Sequence, residues 1–153
     1  MSMRIFQATI NDLPLLVTLF DQYRVFYKQQ GDKQSAEKFL FDRFEHSESI
    51  IFIARDEEGN VAAGFTQLYP IFSSVSLKRK WLLNDLFVAE GYRKQRIGEQ
   101  LMNAAKAFAV ATKASGLELS TAVHNVAAQS LYERLGYVRD AEYYHYSLSL
   151  RGV

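Results

Sequence analysis

Apolar residues recur along this chain with two periods, near 3.6 and near 2, and the switches between them outline its elements. Residues 3–8, MRIFQA, read as a short first strand. Leu15, Leu16, Leu19, Phe20, Tyr23, Phe26 and Tyr27 then return at helical spacing. Asn11 and Asp12 are placed to cap that helix, and Pro14 is tolerated in its first turn. Gln30-Gly31-Asp32 ends it, and a second helix after Ser35 buries Phe39, Leu40 and Phe44.

Residues 49–54, SIIFIA, are rich in β-branched side chains and predict a strand. Asp56 to Asn60 is a hairpin turn, and VAAGFTQLYP returns as a strand to about Pro70. WLLNDLFV, 81–88, is nearly continuous in apolar residues, as suits a strand covered on both faces. A long helix runs from about Ile97 to Ala114, stopped by Gly116. LELSTAV (117–123) reads as a strand. Asn125 starts a helix that ends at Gly136, and YVRD and YYHYSLSL predict two last strands. The sum is one α/β (α+β) domain over 1–153. It has a mostly antiparallel central sheet of about seven strands, a central parallel pair joined by the 97–114 crossover, and about four flanking helices.

With 153 residues the chain is long enough to bury one core. Eighteen basic residues against 17 acidic ones leave a net charge of +1, so no global field attracts nucleic acid or an acidic membrane. There is no cysteine, hence no thiolate nucleophile and no disulfide frame, and the three histidines lack ligand spacing, so no metal site is expected. The first residues, MSMRIFQATI, lack a signal-peptide pattern, and no apolar run approaches the ~20 residues that span a bilayer. A cytoplasmic protein is expected.

Two stretches carry candidate chemistry. In GYRKQRIGEQL, 91–101, a strand gives way to a helix whose first N–H groups point outward at the positive end of the dipole. Arg93, Lys94 and Arg96 add charge, and Gly98 permits close approach. This is either a solvated basic turn or a loop built for an anion, a diphosphate above all. In NVAAQSLYERLGY, 125–137, Asn125 stands at a helix start and Tyr132 lies two turns on. Taken alone, that pair reads as a capping asparagine and a half-buried tyrosine.

Together the two stretches resemble the GNAT superfamily of acetyl-CoA-dependent N-acetyltransferases. The family pattern Arg/Gln-x-x-Gly-x-Gly/Ala after a central strand aligns with Arg93-Lys94-Gln95-Arg96-Ile97-Gly98, behind LNDLFVAEGY. The second pattern aligns with Asn125, Ala128 and Leu131-Tyr132-Glu133-Arg134-Leu135-Gly136-Tyr137. RIFQATINDLPLL is similar to the family's first strand and helix. The 21–45 segment and LYPIFSS resemble a subgroup that includes yeast histone and polyamine acetyltransferases, which hints at a polyamine-like or lysine-like acceptor.

The resemblance implies direct transfer from acetyl-CoA to a primary amine. The backbone of Leu86, Phe87 and Val88 would bind the pantetheine arm like another strand. Residues Arg93, Lys94, Gln95, Arg96, Ile97 and Gly98 would take the phosphates, Asn125 would line the cofactor, and Tyr132 would protonate the leaving thiolate. Tyr23, Tyr27 and Tyr69 are candidate liners of the acceptor site. The family habit also implies a homodimer.

Two positions depart from the pattern. Arg96 replaces the first motif glycine; it is expected inside the first helical turn, where it is unstrained and its N–H faces the phosphates. Asn84-Asp85 stands where polyamine acetyltransferases carry Glu-Asp. Asn84 would then hold a water for proton relay, and Asp85 is either the carboxylate base or a buried structural hydrogen-bonder. A non-catalytic acyl-CoA-binding sensor is the alternative reading.

Overall fold

The computed structural model of the protein describes residues 2–152. It divides after Ser120 into two compact units. The first holds strands β1 (Arg4–Gln7), β2 (Ile50–Arg55), β3 (Ala62–Ser73), β4 (Lys78–Val88) and β5 (Leu117–Glu118), with helices α1 (Leu13–Phe26), α2 (Lys33–Glu45) and α3 (Ile97–Ala111). The strands form one sheet in sequence order. β1 to β4 are antiparallel neighbours, whereas β4 and β5 are parallel and joined through α3.

Both faces of this sheet are covered. On one, Leu16, Phe20, Leu40, Ile51, Ile53, Phe65 and Phe87 form a buried cluster with α1 and α2. On the other, Phe52 and Trp81 meet Phe108 of α3 at 5.7 and 5.2 Å between ring centroids. Ile51 and Ile53 alternate with Phe52, as the period of a strand requires. Trp81 and Phe87 are six residues apart and would share a face in a regular strand. They do not, because the register passes from Gln67↔Asp85 to Leu68↔Leu83 and leaves Asn84 as an extra residue. This bulge turns the second half of β4 over, so Asp85 and Phe87 face α1.

The first helix is capped differently from expectation. Neither Asn11 nor Asp12 caps α1 by its side chain. Thr9 caps a short 3-10 turn at Ile10–Asp12 that runs into α1, and Asp12 returns a bond to the Thr9 N–H. α2 begins earlier than Ser35, behind the Asp32 side chain. α3 ends at Ala111, well before Gly116, with Lys113 taking the positive φ of 58° that glycine was expected to supply.

In the second unit α4 (Val126–Arg134) starts as predicted, with Asn125 Oδ1 accepting from the Ala128 N–H at 3.2 Å. Gly136, at φ 96°, follows its end. The count of about seven strands is not met: among the described residues the sheet has five strands. LELSTAV contributes only Leu117–Glu118, and neither YVRD nor YYHYSLSL forms a strand. Alternation prepares a face, but a strand also needs a neighbouring ladder to satisfy its N–H and C=O groups. Tyr144, Tyr146 and Leu148 are accordingly exposed. Among the described residues no helix is long and apolar enough to cross a membrane.

Candidate functional site

β4 organises the first unit's candidate chemistry. On its α1 face, the Asp85 carboxylate is buried, accepting from Gln67 Nε2 at 2.7 Å and from Asn84 Nδ2 at 3.1 Å. Thr66 Oγ1 donates to the Asp85 carbonyl at 2.8 Å. Tyr23 reaches the same place from α1. Burial first, then the charge of Asp85 and its hydrogen bond to the phenol, raise the Tyr23 pKa. Burial and then the Asp85 charge push Tyr69 up to about 12, against the opposing pull of Arg43. Tyr27 packs edge-on against Tyr23 at 5.1 Å and is more than half exposed. Tyr23 and Tyr69 therefore lie about one buried carboxylate, and Tyr27 stands behind Tyr23.

Asn84 is exposed and its amide is turned to Asp85. Asp85 has the hydrogen bonds of a structural group. Gln67 escaped the sequence reading. Its signal was there: Phe65, Gln67 and Tyr69 alternate onto one face of a central strand, and a fully buried amide among aromatics needs a partner. One side of that amide has none, since Gln67 Oε1 is buried without a hydrogen bond.

The far end of β4 meets the basic loop. β5 pairs only with Trp81 and Leu82, so no strand covers that edge at Leu83–Val88 among the described residues. Leu86 and Val88 are half-buried there, and Phe87 is fixed by Tyr23, Phe26 and Phe65. Gly64 sets how closely β3 approaches: a Cβ on it would stand 2.5 Å from the Phe87 carbonyl oxygen. That requirement was not visible in the sequence.

The loop itself corrects one expectation. Arg96 is not in the first helical turn; it is the residue before α3, left-handed at φ 62°, ψ 19°. Lys94 also has φ 62°. Such backbone costs a side-chain-bearing residue about 1–2 kcal/mol. Arg93 turns back on its own strand, with Nε donating to the Val88 carbonyl at 2.9 Å and the guanidinium 5.2 Å from the Phe26 ring centre. Ile97 is buried, so its side chain belongs to the core and only its backbone is available to a ligand.

What remains suits an anion. Lys94, Gln95 and Arg96 are exposed. The Arg96 side chain makes no capping hydrogen bond to α3. A Cβ on Gly98 would meet only Val88 Cγ2, at 3.8 Å, so the protein's own packing leaves room there. A helix start lacking a side-chain acceptor, beside a glycine with free space and two exposed cations, fits a diphosphate group.

In the second unit, Tyr132 lies on α4 with its ring 6.2 Å from that of Tyr137. Burial, and secondarily Tyr132, raise the Tyr137 pKa.

Known proteins match this arrangement over nearly its whole length. Residues 16–137 match the Acetyltransferase (GNAT) family. The chain is 49% identical over 148 residues to the uncharacterized N-acetyltransferase YhfO of Bacillus subtilis (strain 168), covering 97% of this chain and 98% of that one. It is 36% identical over 115 residues to a probable acetyltransferase of Haemophilus influenzae, covering 75% and 78%. A crystal structure of a probable acetyltransferase superposes with a TM-score of 0.91 at 44% identity, over 97% of this chain and 98% of that one. The uncapped helix start after β4, the Asn125-capped α4 and these matches agree: the chain belongs to the GNAT family of acetyltransferases.

Proposed function

We propose that the protein transfers an acetyl group from acetyl-CoA to a primary amine of a small molecule or peptide, by direct attack. The observation that carries this reading is the start of α3, where Arg96 makes no capping hydrogen bond, with open space at Gly98 and the free edge of β4 beside it. The N–H groups there would hold the diphosphate with Lys94 and Arg96, and the Leu86–Val88 backbone would hold the pantetheine arm. Acetyl-CoA supplies an activated thioester; the chain's residues supply position and proton transfer.

The acceptor amine would approach the α1 face, lined by Tyr23, Tyr27 and Tyr69. An ammonium is stabilised there by Asp85 and by tyrosine rings. Its proton must leave before the nitrogen can attack, and Asp85, through a water held by Asn84, is the base of this proposal. The new C–N bond forms as the C–S bond breaks. By the family pattern, Tyr132 gives the proton that the thiolate takes up. A compact carboxylate among aromatic rings supports a polyamine-like or lysine-like acceptor over an acidic one.

One observation favours the second reading, a non-catalytic acyl-CoA sensor: Asp85 is already held by two amides. A thiol-release assay over a panel of amines, run beside CoA calorimetry, separates the two. Turnover with an alkyl primary amine is expected; tight CoA binding without turnover on any amine would support the sensor. Dimerisation belongs to the first reading, since the exposed Tyr144, Tyr146 and Leu148 offer apolar surface to a second copy. Light scattering tests it.

A further inference from the structure

A cavity lies on the α3 face of the sheet, at the end of β4 remote from the basic loop. It measures about 280 Å³ and is lined chiefly by Ser49, Pro70, Phe72, Arg79, Trp81 and Phe108. Arg79 and Val88 stand nine residues apart on β4, roughly 30 Å at the rise of an extended strand. The bulge at Asn84 also puts this cavity and Asp85 on opposite faces. It therefore belongs to neither the CoA loop nor the acceptor face.

Three features define what it would take. The Arg79 guanidinium lies 5.4 Å from the Phe72 ring centre and 5.2 Å from that of Trp81, held between two aromatic faces. Among the described residues no carboxylate pairs with it. Its neighbour Lys80 already uses Glu118 at 3.1 Å, and the lining contains no acidic side chain. Second, the walls are flat and apolar: Pro70, Trp81 and Phe108. Third, Ser47 and Ser49 are the small polar residues of the lining. The volume lies at the small end of ligand sites and suits one ring with its substituent.

We infer that this cavity is a binding site for a small aromatic carboxylate, with the ring against Trp81 and Phe108 and the carboxylate on Arg79. The planar guanidinium matches a carboxylate in bidentate geometry.

Trp81 is the chain's one tryptophan, and its Nε1–H donates to Thr112 Oγ1 at 3.0 Å. Its single indole resonance in an ¹⁵N-correlated NMR spectrum reports on the cavity wall. Benzoate, phenylacetate and the neutral analogue benzamide are titrated into the ¹⁵N-labelled protein. Carboxylates should shift the indole peak saturably, with benzamide weaker by about ten-fold or more, the size of a charged hydrogen bond's loss. Arg79→Gln should weaken benzoate by a similar factor, and saturating CoA should leave the benzoate affinity unchanged. If Arg79→Gln does not fold, benzoate-induced shifts at the Ser49 and Phe108 amides of the native protein locate the site instead. Equal affinity for benzamide, no saturable shift up to ~10 mM, shifts that miss those amides, or displacement by CoA would each overturn the assignment. Indole broadening that follows protein concentration and blocks benzoate would overturn it in favour of a second copy seated on this face.

Discussion

Gln67 Nε2 lies 2.7 Å from Asp85 Oδ2, across a register pair of β3 and β4, and both side chains are buried. The contact orients the amide, because a flip would set two oxygens against each other. Gln67→Leu takes one donor from a buried carboxylate, which costs about 1–3 kcal/mol. Removal of the unpartnered Gln67 Oε1 offsets part of that loss. Urea unfolding should show a lower midpoint with an unchanged slope. An unchanged midpoint would mean that Asp85 does not depend on this amide.

Tyr69 should ionise late. Its folded pKa is pushed up to about 12 from an ordinary value of 10.0, by burial and then by the Asp85 charge. A group whose folded pKa is raised contributes stability fully below its unfolded value and loses that contribution as pH rises through the folded one. The window is therefore pH 10 to 12, with no effect near neutrality. Phenolate absorbance should show one fewer late-titrating tyrosine in Tyr69→Phe. An identical titration curve would place Tyr69 in an ordinary solvated setting.

Arg96→Gly separates strain from charge. Glycine adopts φ 62° without penalty, so the variant should gain about 0.5–1 kcal/mol against unfolding. It also loses a cation at the helix start, so CoA should bind less tightly and with a weaker dependence on salt. Calorimetry at two salt concentrations reads the second effect. Tighter CoA binding in the glycine variant would show that Arg96 makes no phosphate contact.

Two glycines should respond in opposite ways. A Cβ on Gly64 would stand 2.5 Å from the Phe87 carbonyl oxygen, so Gly64→Ala must push β3 from β4 and should cost about 1–3 kcal/mol. Gly98→Ala meets only Val88 Cγ2 at 3.8 Å and gains helix propensity of up to about 1 kcal/mol. The second variant should be at least as stable as the native chain yet bind CoA about ten-fold or more weakly, because the new methyl occupies ligand space. Thermal unfolding and calorimetry together check this. Native affinity in Gly98→Ala would remove the α3 start from the proposed site.

Tyr132→Phe keeps the ring and its packing against Tyr137. If Tyr132 donates the thiolate's proton, kcat should fall ~10²-fold while KM for acetyl-CoA is nearly unchanged, since the interaction is made only as the thiolate forms. Steady-state kinetics with the best amine of the panel measure it. A native kcat, where chemistry limits turnover, would leave Tyr132 a packing residue.

Local order was legible in the chain itself. The helical spacing of Leu16, Leu19, Phe20 and Tyr23, the turn at Asp56 to Asn60, the parallel pairing of β4 with β5 and the Asn125 cap all follow from periodicity and short-range hydrogen bonding. So does the family, because its two patterns are read as continuous stretches. These features depend on residues within a few positions of one another, or on the limited ways a strand–helix–strand unit can close.

The rest was decided between elements distant in sequence. Nothing in WLLNDLFV marks Asn84 as the extra residue; only the pairing with β3 makes it one, and that choice sends Asp85 and Phe87 to α1 and Trp81 to α3. Gln67 became Asp85's partner and Gly64 a spacing residue by the same register. Arg96 took a left-handed backbone because the chain must turn from β4 into α3 within a few residues, a demand set by the two packed elements and not by arginine's own preference. YYHYSLSL shows the converse. Its alternation is as regular as a strand's, yet a strand exists only where a neighbour accepts its hydrogen bonds, and neighbours are assigned by the tertiary fold.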